Sequence, residues 1–270
     1  AALLERIRRE RETAEPKKGR RRRTPEVAPL DTSDLPQLPE GWQWASMDSI
    51  GDVSGGLTKS AKRRAACPLE VPYLRVANVY AGELRLEDVD LLRVDESELA
   101  STSLEVHDLL VVEGNGSVSQ IGRAALWDGS ITPCVHQNHL IRVRFPLREM
   151  AQYVLPWLLS QSGREQVTRV ASSTSGLYTL SLSKVSSLPV PVAPEREQQQ
   201  IVAHLGSVLS VIEEADRVLA QEAQRAGFLR ASILRRAFEG KLVPQDPSDE
   251  PADVLLERIR AARQDQGRSL

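Results

Sequence analysis

The feature that most constrains this chain is the run after Pro194. In "EREQQQIVAHLGSVLSVIEEADRVLAQEAQRAGFLRASILRRAF", Ile201, Leu205, Val208, Ile212, Ala215 and Leu219 are spaced 4-3-4-3-4. That spacing is the heptad seam of a helix made to pair with another helix. Glu222 breaks the register, and Ala226, Leu229 and Ile233 resume it. A helix over residues 195–238 would be about 65 Å long at 1.5 Å per residue, longer than the diameter of the domain before it. One face of so long a helix must bury itself against another helix. The seam residues Ile201, Leu205, Val208, Ile212, Leu219, Leu229 and Ile233 are therefore assigned to a helix interface. The alternating prolines of "PVPVAP" forbid helix just before this run, and Gly240 and Pro244 end it. A second, shorter helix is expected at 251–264, with Leu255, Leu256 and Ile259 as its apolar side.

Upstream of Pro194 the period is different. "PYLRVANV", "DLLVVEG", "GRAALW" and "HLIRVRF" are short aliphatic or β-branched runs bounded by Gly, Pro, Asn or Asp, as strands are. "REMAQYVLPWLLSQS" interrupts them with helical spacing. Met150, Tyr153, Val154, Trp157 and Leu158 share one face, and Pro156 is expected to kink the helix. Trp42, Trp44, Trp127 and Trp157 read as packing residues. The fold class is α+β: a mixed domain at 38–194, then the helical region 195–270. Hydrophobic residues at 41% and charged ones at 27% of 270 allow an ordinary core. Cys67 and Cys134 are too few for a disulfide framework and fit a reducing cytosol. No apolar run approaches about 18 residues, and the first 25 residues are too charged for a signal peptide. A cytoplasmic location is expected.

The hexapeptide "LLERIR" occurs at Leu3–Arg8 and again at Leu255–Arg260. A repeat of this kind points to duplicated structural units. After the first copy comes "EPKKGRRRRTPEVAP", which has no apolar period and reads as a linker, so residues 1–37 form a helical stub and basic linker. Residues 1–25 hold ten Lys/Arg against four Glu, although the whole chain has a net charge of −2. Arg20–Arg23 is either a solvated linker or a non-specific phosphate clamp. Any nucleic-acid surface must be a local patch.

Several segments together resemble a known family. "LPEGWQW", "PYLRVANVYAGELRLEDV", "DLLVVEGNGS", "GRAALW", "PVPVAPEREQQQIV" and "AFEGKLVPQDPSDEPADVLLERI" are similar to the specificity subunit of type I restriction–modification systems. The resemblance runs from about Leu38 to Arg263. It rests on the ordered series, not on one motif, and the basic insert Lys17–Arg23 departs from it. It implies a target recognition domain followed by a helical conserved region, equivalent to one half of a full subunit. Such a half reads one part of a split DNA sequence and carries methyltransferase subunits. Double-stranded DNA, methyltransferase subunits and a restriction subunit are then the partners, and two copies of the chain can join through their helices. S-adenosylmethionine, ATP and Mg²⁺ would sit on the partner subunits, leaving this chain without a cofactor.

Four segments carry candidate DNA-binding residues. "EGNGSVSQIGR" offers Asn115, Ser117, Ser119, Gln120 and Arg123. Asn and Gln can bond adenine in the major groove, and Arg can read guanine or hold phosphate. A plain hairpin turn is the structural alternative. In "GGLTKSAKRR", Lys59, Lys62, Arg63 and Arg64 make a backbone-binding patch or a solvated loop. The segment fails the phosphate-loop template, because Thr58 stands where Gly must precede Lys. The resemblance puts His136, Gln137 and Asn138 near the DNA face; a polar strand start is the alternative. It also likens "ASSTSGLYTLSLSKV" to the last recognition loop, which nominates Ser173, Thr174, Ser175, Tyr178 and Lys184. Zinc on Cys134, His136 and His139 lacks a fourth ligand of matching type.

No enzyme signature is present. The Asp/Asn-Pro-Pro-aromatic element of amino-methyltransferases is missing, as are Gly-rich dinucleotide loops, His-Glu-x-x-His and Gly-x-Ser-x-Gly. The expectation is a DNA-recognition subunit of a methyltransferase/endonuclease complex without catalytic residues of its own. A half-length oligomerisation or regulatory partner without its own specificity is the alternative; a stand-alone nuclease or methyltransferase is a third.

Overall fold

The computed structural model describes residues 2–13, 30–60, 67–115, 120–174 and 177–267. They divide into two compact units, Ala1–Leu205 and Gly206–Leu270. The first unit opens with α1 (Ala2–Thr13), β1 (Gln43–Ser46), α2 (Met47–Ile50), β2 (Asp52–Gly55), β3 (Leu69–Leu74), β4 (Asp90–Val94) and α3 (Glu96–Thr102). Next come β5 (Leu109–Val112), β6 (Gly114–Asn115), β7 (Ala124–Leu126), β8 (Val135–His136) and β9 (Leu140–Arg144). Then follow α4 (Met150–Leu159), α5 (Gln161–Val170), β10 (Ser172–Thr174), β11 (Leu177–Thr179), α6 (Leu182–Ser186) and β12 (Pro189–Val192). The chain continues into α7 (Glu195–Phe238) and ends with α8 (Ala252–Gly267).

The antiparallel sheet β2-β9-β5-β7 is the centre of the first unit. All four residues of β5 are buried. Leu109 and Val111 join a core with Ile141, Val143, Val154 and Leu158, while Leu110 and Val112 join a second core with Leu74, Trp127 and Leu140. Alternate side chains point to opposite faces of a strand. A strand covered on both faces therefore reads as the unbroken apolar run "LLVV". The smaller sheet β4-β3-β8 carries a third cluster, Val71, Tyr73, Leu92, Val94 and Val135.

The "PVPV" step is β12, paired antiparallel with β1 so that Pro189 faces Ser46 and Pro191 faces Trp44. A two-stranded pair tolerates proline because only one edge needs N–H donors. Tyr153 anchors it, donating from its hydroxyl to the Pro191 carbonyl at 2.7 Å. Trp127 is buried in the core, and Trp42 and Trp44 meet Tyr153 and Trp157 edge-on at 6.5 and 6.4 Å. The segment around Pro156 is two helices where one kinked helix is expected from sequence. Ser160 separates them and caps α5, its Oγ accepting from Gly163 N at 3.2 Å. A Cβ at Gly163 would lie 2.0 Å from the Trp157 carbonyl oxygen, so the tight corner requires glycine.

The N-terminal helix is more than a charged stub. Ile7 is fully buried in the main core, and Leu3 and Leu4 pack against it. Arg6 donates to both carboxylate oxygens of Glu195, at 2.9 and 2.7 Å, and Arg11 donates to the Asp48 carbonyl. Helix α7 has the bounds that the heptad pattern sets. Its first turns belong to the first unit: Gln198 is buried, and Ile201 and Val202 pack on the main core. Ile201, a seam residue by its spacing, is thus half-buried against its own domain. The later seam residues are exposed, with Ile212 at 50%, Leu219 at 67%, Leu229 at 57% and Ile233 at 54%. Leu255, Leu256 and Ile259 of α8 are exposed as well.

The two copies of the hexapeptide should respond differently to the same change. Ile7→Ala is expected to destabilise the folded chain by about 2–4 kcal/mol in urea denaturation, as truncation in a core does. At high dilution Ile259→Ala should cost under about 0.5 kcal/mol.

Candidate nucleic-acid interface

Backbone hydrogen bonds draw the four candidate segments together. Leu57 N donates to the His136 carbonyl at 2.8 Å, and Asn138 N donates to the Leu57 carbonyl at 3.0 Å. Gly56 makes this approach possible, since a Cβ there would lie 2.1 Å from the His136 carbonyl oxygen. Glu113 N bonds the His139 carbonyl at 3.0 Å, and Leu180 N bonds the Glu113 carbonyl at 2.6 Å. Strands β10-β11-β6 form one small antiparallel sheet in which Tyr178 faces both Asn115 and Ser173. Gly55 lies against Leu182, at the start of the short helix that holds Lys184. Segments far apart in sequence thus meet along one line of strand ends and turns.

The side chains on this line are not all free to meet a ligand. Lys59 pairs with Asp90 at 2.5 Å. That hydrogen bond, ahead of one from Leu91 N, holds the Asp90 carboxyl below the usual carboxylate range. Arg123 donates to the Val76 carbonyl at 3.1 Å and to Gln120 Oε1 at 3.2 Å. Its guanidinium and that of Arg85 lie 5.1 and 3.9 Å from the centre of the Tyr80 ring. Gln137 Oε1 accepts from Val76 N at 3.2 Å, and half-buried Asn138 contacts His139 at 3.4 Å. Tyr178 is half-buried against the main core. Lys62, Arg63, Arg64, Ser117, Ser119, Ser175 and the basic run Lys17–Arg23 lie outside the described residues, as do the side chains of Asn115, Ser173 and Thr174.

Sequence reading overlooked the Tyr80–Arg85 pair. Its signal was an aromatic residue five positions before an arginine in "VYAGELR", across a turn at Gly82 with φ +78°. A guanidinium over an aromatic face is held in place while it keeps donors for phosphate.

His136 is a correction. It is fully buried and cannot reach a DNA groove from the folded chain. Its Nδ1 lies 3.0 Å from the Leu140 carbonyl oxygen, while Nε2 has no hydrogen-bond partner among the described residues. Burial, and then the positive charge of Arg142, push its pKa down to about 3. The ring is neutral, with Nδ1–H as the donor. Strand β8 needs an inward residue here because β3 pairs with it, Leu74 opposite His136. Cys134 is also buried, its thiol pushed up to about 12 by desolvation, and His139 turns instead to Glu113 at 2.7 Å. Among the described residues no three metal-capable side chains cluster. No described helix is long and apolar enough to cross a membrane.

No protein-family model matches the chain. It is 30% identical over 205 residues to the type I restriction enzyme EcoKI specificity subunit of Escherichia coli K12, covering 71% of this chain and 43% of that protein. It is 26% identical over 233 residues to the StySPI specificity subunit of Salmonella potsdam, covering 83% and 50%. The chain spans about half the length of the curated relatives it matches. By fold it superposes with a TM-score of 0.58 and 17% identity on a chain from work on complex assembly and conformational transition of the type I R-M system. That match covers 78% of this chain and 49% of the other.

Acid should test the His136 assignment. Its folded pKa lies below the usual value of 6.5. The unfolded chain therefore binds the extra proton first. The stability is complete above about pH 6.5 and falls by up to about 1.4 kcal/mol per pH unit toward pH 3. Urea denaturation at pH 7 and pH 5 should show a smaller loss for His136→Gln than for the parent chain.

Proposed function

Since the chain belongs to the specificity-subunit family of type I restriction enzymes and matches about half the length of its relatives, we propose that it reads one half of a bipartite DNA target and carries methyltransferase subunits. The observation that supports the reading best is the convergence of four polar or basic segments through backbone hydrogen bonds. A rigid platform of strand ends suits groove recognition, because base contacts demand fixed donors and acceptors. In this reading Asn115, Ser117, Ser119, Gln120, Gln137 and Asn138 meet base edges. Lys59, Lys62, Arg63, Arg64, Arg123, Ser173, Thr174, Ser175, Tyr178 and Lys184 contact the phosphate backbone or support those that do. Arg85 joins them as a phosphate contact braced on Tyr80.

Helix α7 supplies the spacing. Its exposed seam, from Val208 to Ile233, fits antiparallel pairing with an equivalent helix. That partner is the second half of a full subunit or a second copy of this chain. Two copies related by a two-fold axis would read a palindromic target with a fixed gap. Methyl transfer, restriction and their cofactors S-adenosylmethionine, ATP and Mg²⁺ belong to the methyltransferase and restriction subunits. In this reading the chain itself is no enzyme, and its place of action is the cytoplasm.

Selection of binding sites from random duplex DNA, with and without a methyltransferase partner, tests the reading. A short enriched sequence, repeated at a fixed gap, is expected; an unenriched pool would reject it. Replacing Lys59, Lys62, Arg63 and Arg64 together by Ala should weaken binding to every sequence alike. The slope of log affinity against log salt should flatten by about 0.9 for each phosphate that the chain no longer neutralises.

A further inference from the structure

Two neighbouring amides of the candidate interface are held in opposite senses. Gln137 Oε1 accepts from Val76 N at 3.2 Å. A backbone N–H can only donate, so the Gln137 oxygen is committed and its NH2 is left over. Asn138 is tied the other way. Its Nδ2 lies 3.4 Å from His139 Nε2, and His139 Nδ1 lies 2.7 Å from Glu113 Oε2. An ionised carboxylate only accepts, so the imidazole carries its proton on Nδ1. In a neutral ring Nε2 is then a lone pair, which only the NH2 of Asn138 can meet. The Asn138 oxygen is the end left over. Among the described residues neither Gln137 Nε2 nor Asn138 Oδ1 has another partner, and neither is a buried atom lacking one, so both meet solvent.

Each step behind Asn138 stands on fixed backbone. Glu113 N donates to the His139 carbonyl at 3.0 Å, and the Glu113 carbonyl accepts from Leu180 N at 2.6 Å. Asn138 N donates to the Leu57 carbonyl at 3.0 Å. The His139 and Glu113 side chains are 56% and 30% exposed, and a pair so open to water adds little stability. What it does set is an orientation. We propose that Glu113 and His139 are positioning residues that turn the Asn138 amide oxygen outward, so that Asn138 selects a base bearing an amino group. The inference rests on the reading above that Asn138 meets base edges. In the major groove adenine N6 and cytosine N4 are donors, whereas thymine O4 and guanine O6 are acceptors. An asparagine free to turn offers a donor and an acceptor and can serve either kind. Held by His139, Asn138 offers the acceptor alone, and a keto base would set two oxygens face to face. The position that Asn138 meets therefore takes adenine or cytosine and rejects guanine and thymine.

Affinities of the full chain for the duplex enriched by the selection above, with all four bases placed at each position in turn, test this. Binding is measured at about pH 8, well above the usual imidazole value. Asn138→Ala should level the four bases at one position. There the parent chain is expected to favour A and C over G and T by roughly tenfold. It should lose as much when purine, which lacks the amino group, replaces adenine. His139→Ala should cut this preference severalfold by tightening the G and T duplexes, because the freed amide can turn its NH2 outward. A merely structural role would weaken all four duplexes alike. The double variant should match Asn138→Ala, since His139 acts through Asn138. A preference for G or T at that position overturns the inference. So does a His139→Ala chain that keeps the parent's preference or loses affinity uniformly. An enriched sequence in which no position responds to Asn138→Ala overturns it and leaves the half-site reading intact. An unenriched pool overturns both.

Discussion

The strand Leu109–Val112 is the constraint on which the first unit depends. It lies between β9 and β7 and sends alternate side chains into two separate cores. A polar residue at any of its four positions would be buried without a partner, whichever face it entered. The helices α4 and α5 cover one side of this sheet; the turn-rich segments around Leu74 and Trp127 cover the other. Glu113 leaves the end of this strand, so it is anchored on one of the best-packed parts of the first unit.

That rigidity reaches the candidate interface through main-chain bonds. His136, Leu57, Glu113 and Leu180 are tied by N–H donors and carbonyl acceptors that do not depend on side-chain identity. Such an arrangement lets exposed residues vary while the platform keeps its shape. Buried polar groups beneath it serve the platform. His136 is held neutral, and Arg142 gives its guanidinium to the carbonyls of Ser101 and Ser103 at 3.3 and 3.1 Å. Neither side chain is exposed, although both stand within a few residues of ones that are.

Much of the architecture was legible in the chain because local period and punctuation carry it. Pro194 and Gly240 bracket a heptad pattern, and the helix has those bounds. The strand runs are where aliphatic residues sit between turn formers. Residues of the interface were harder to judge. "TPCVHQNHLIRV" offers two histidines with the same chemistry and nearly the same setting. Pairing of β8 with β3 turns His136 inward and leaves His139 on the surface. Ile201 fits the helical seam as well as Ile212 does, yet it packs partly on its own domain.

The sequence by itself determined the order of elements, the long helix with its apolar stripe, and the short aliphatic strands. Each of these follows from spacing along a few turns or residues. Only the tertiary structure decided what each apolar face meets. The hexapeptide shows the reason most directly. Leu3–Arg8 and Leu255–Arg260 form the same helix with the same stripe, yet Ile7 is fully buried and Ile259 is 41% exposed. Local sequence sets which side of a helix avoids water; a surface brought from elsewhere in the chain sets whether it succeeds.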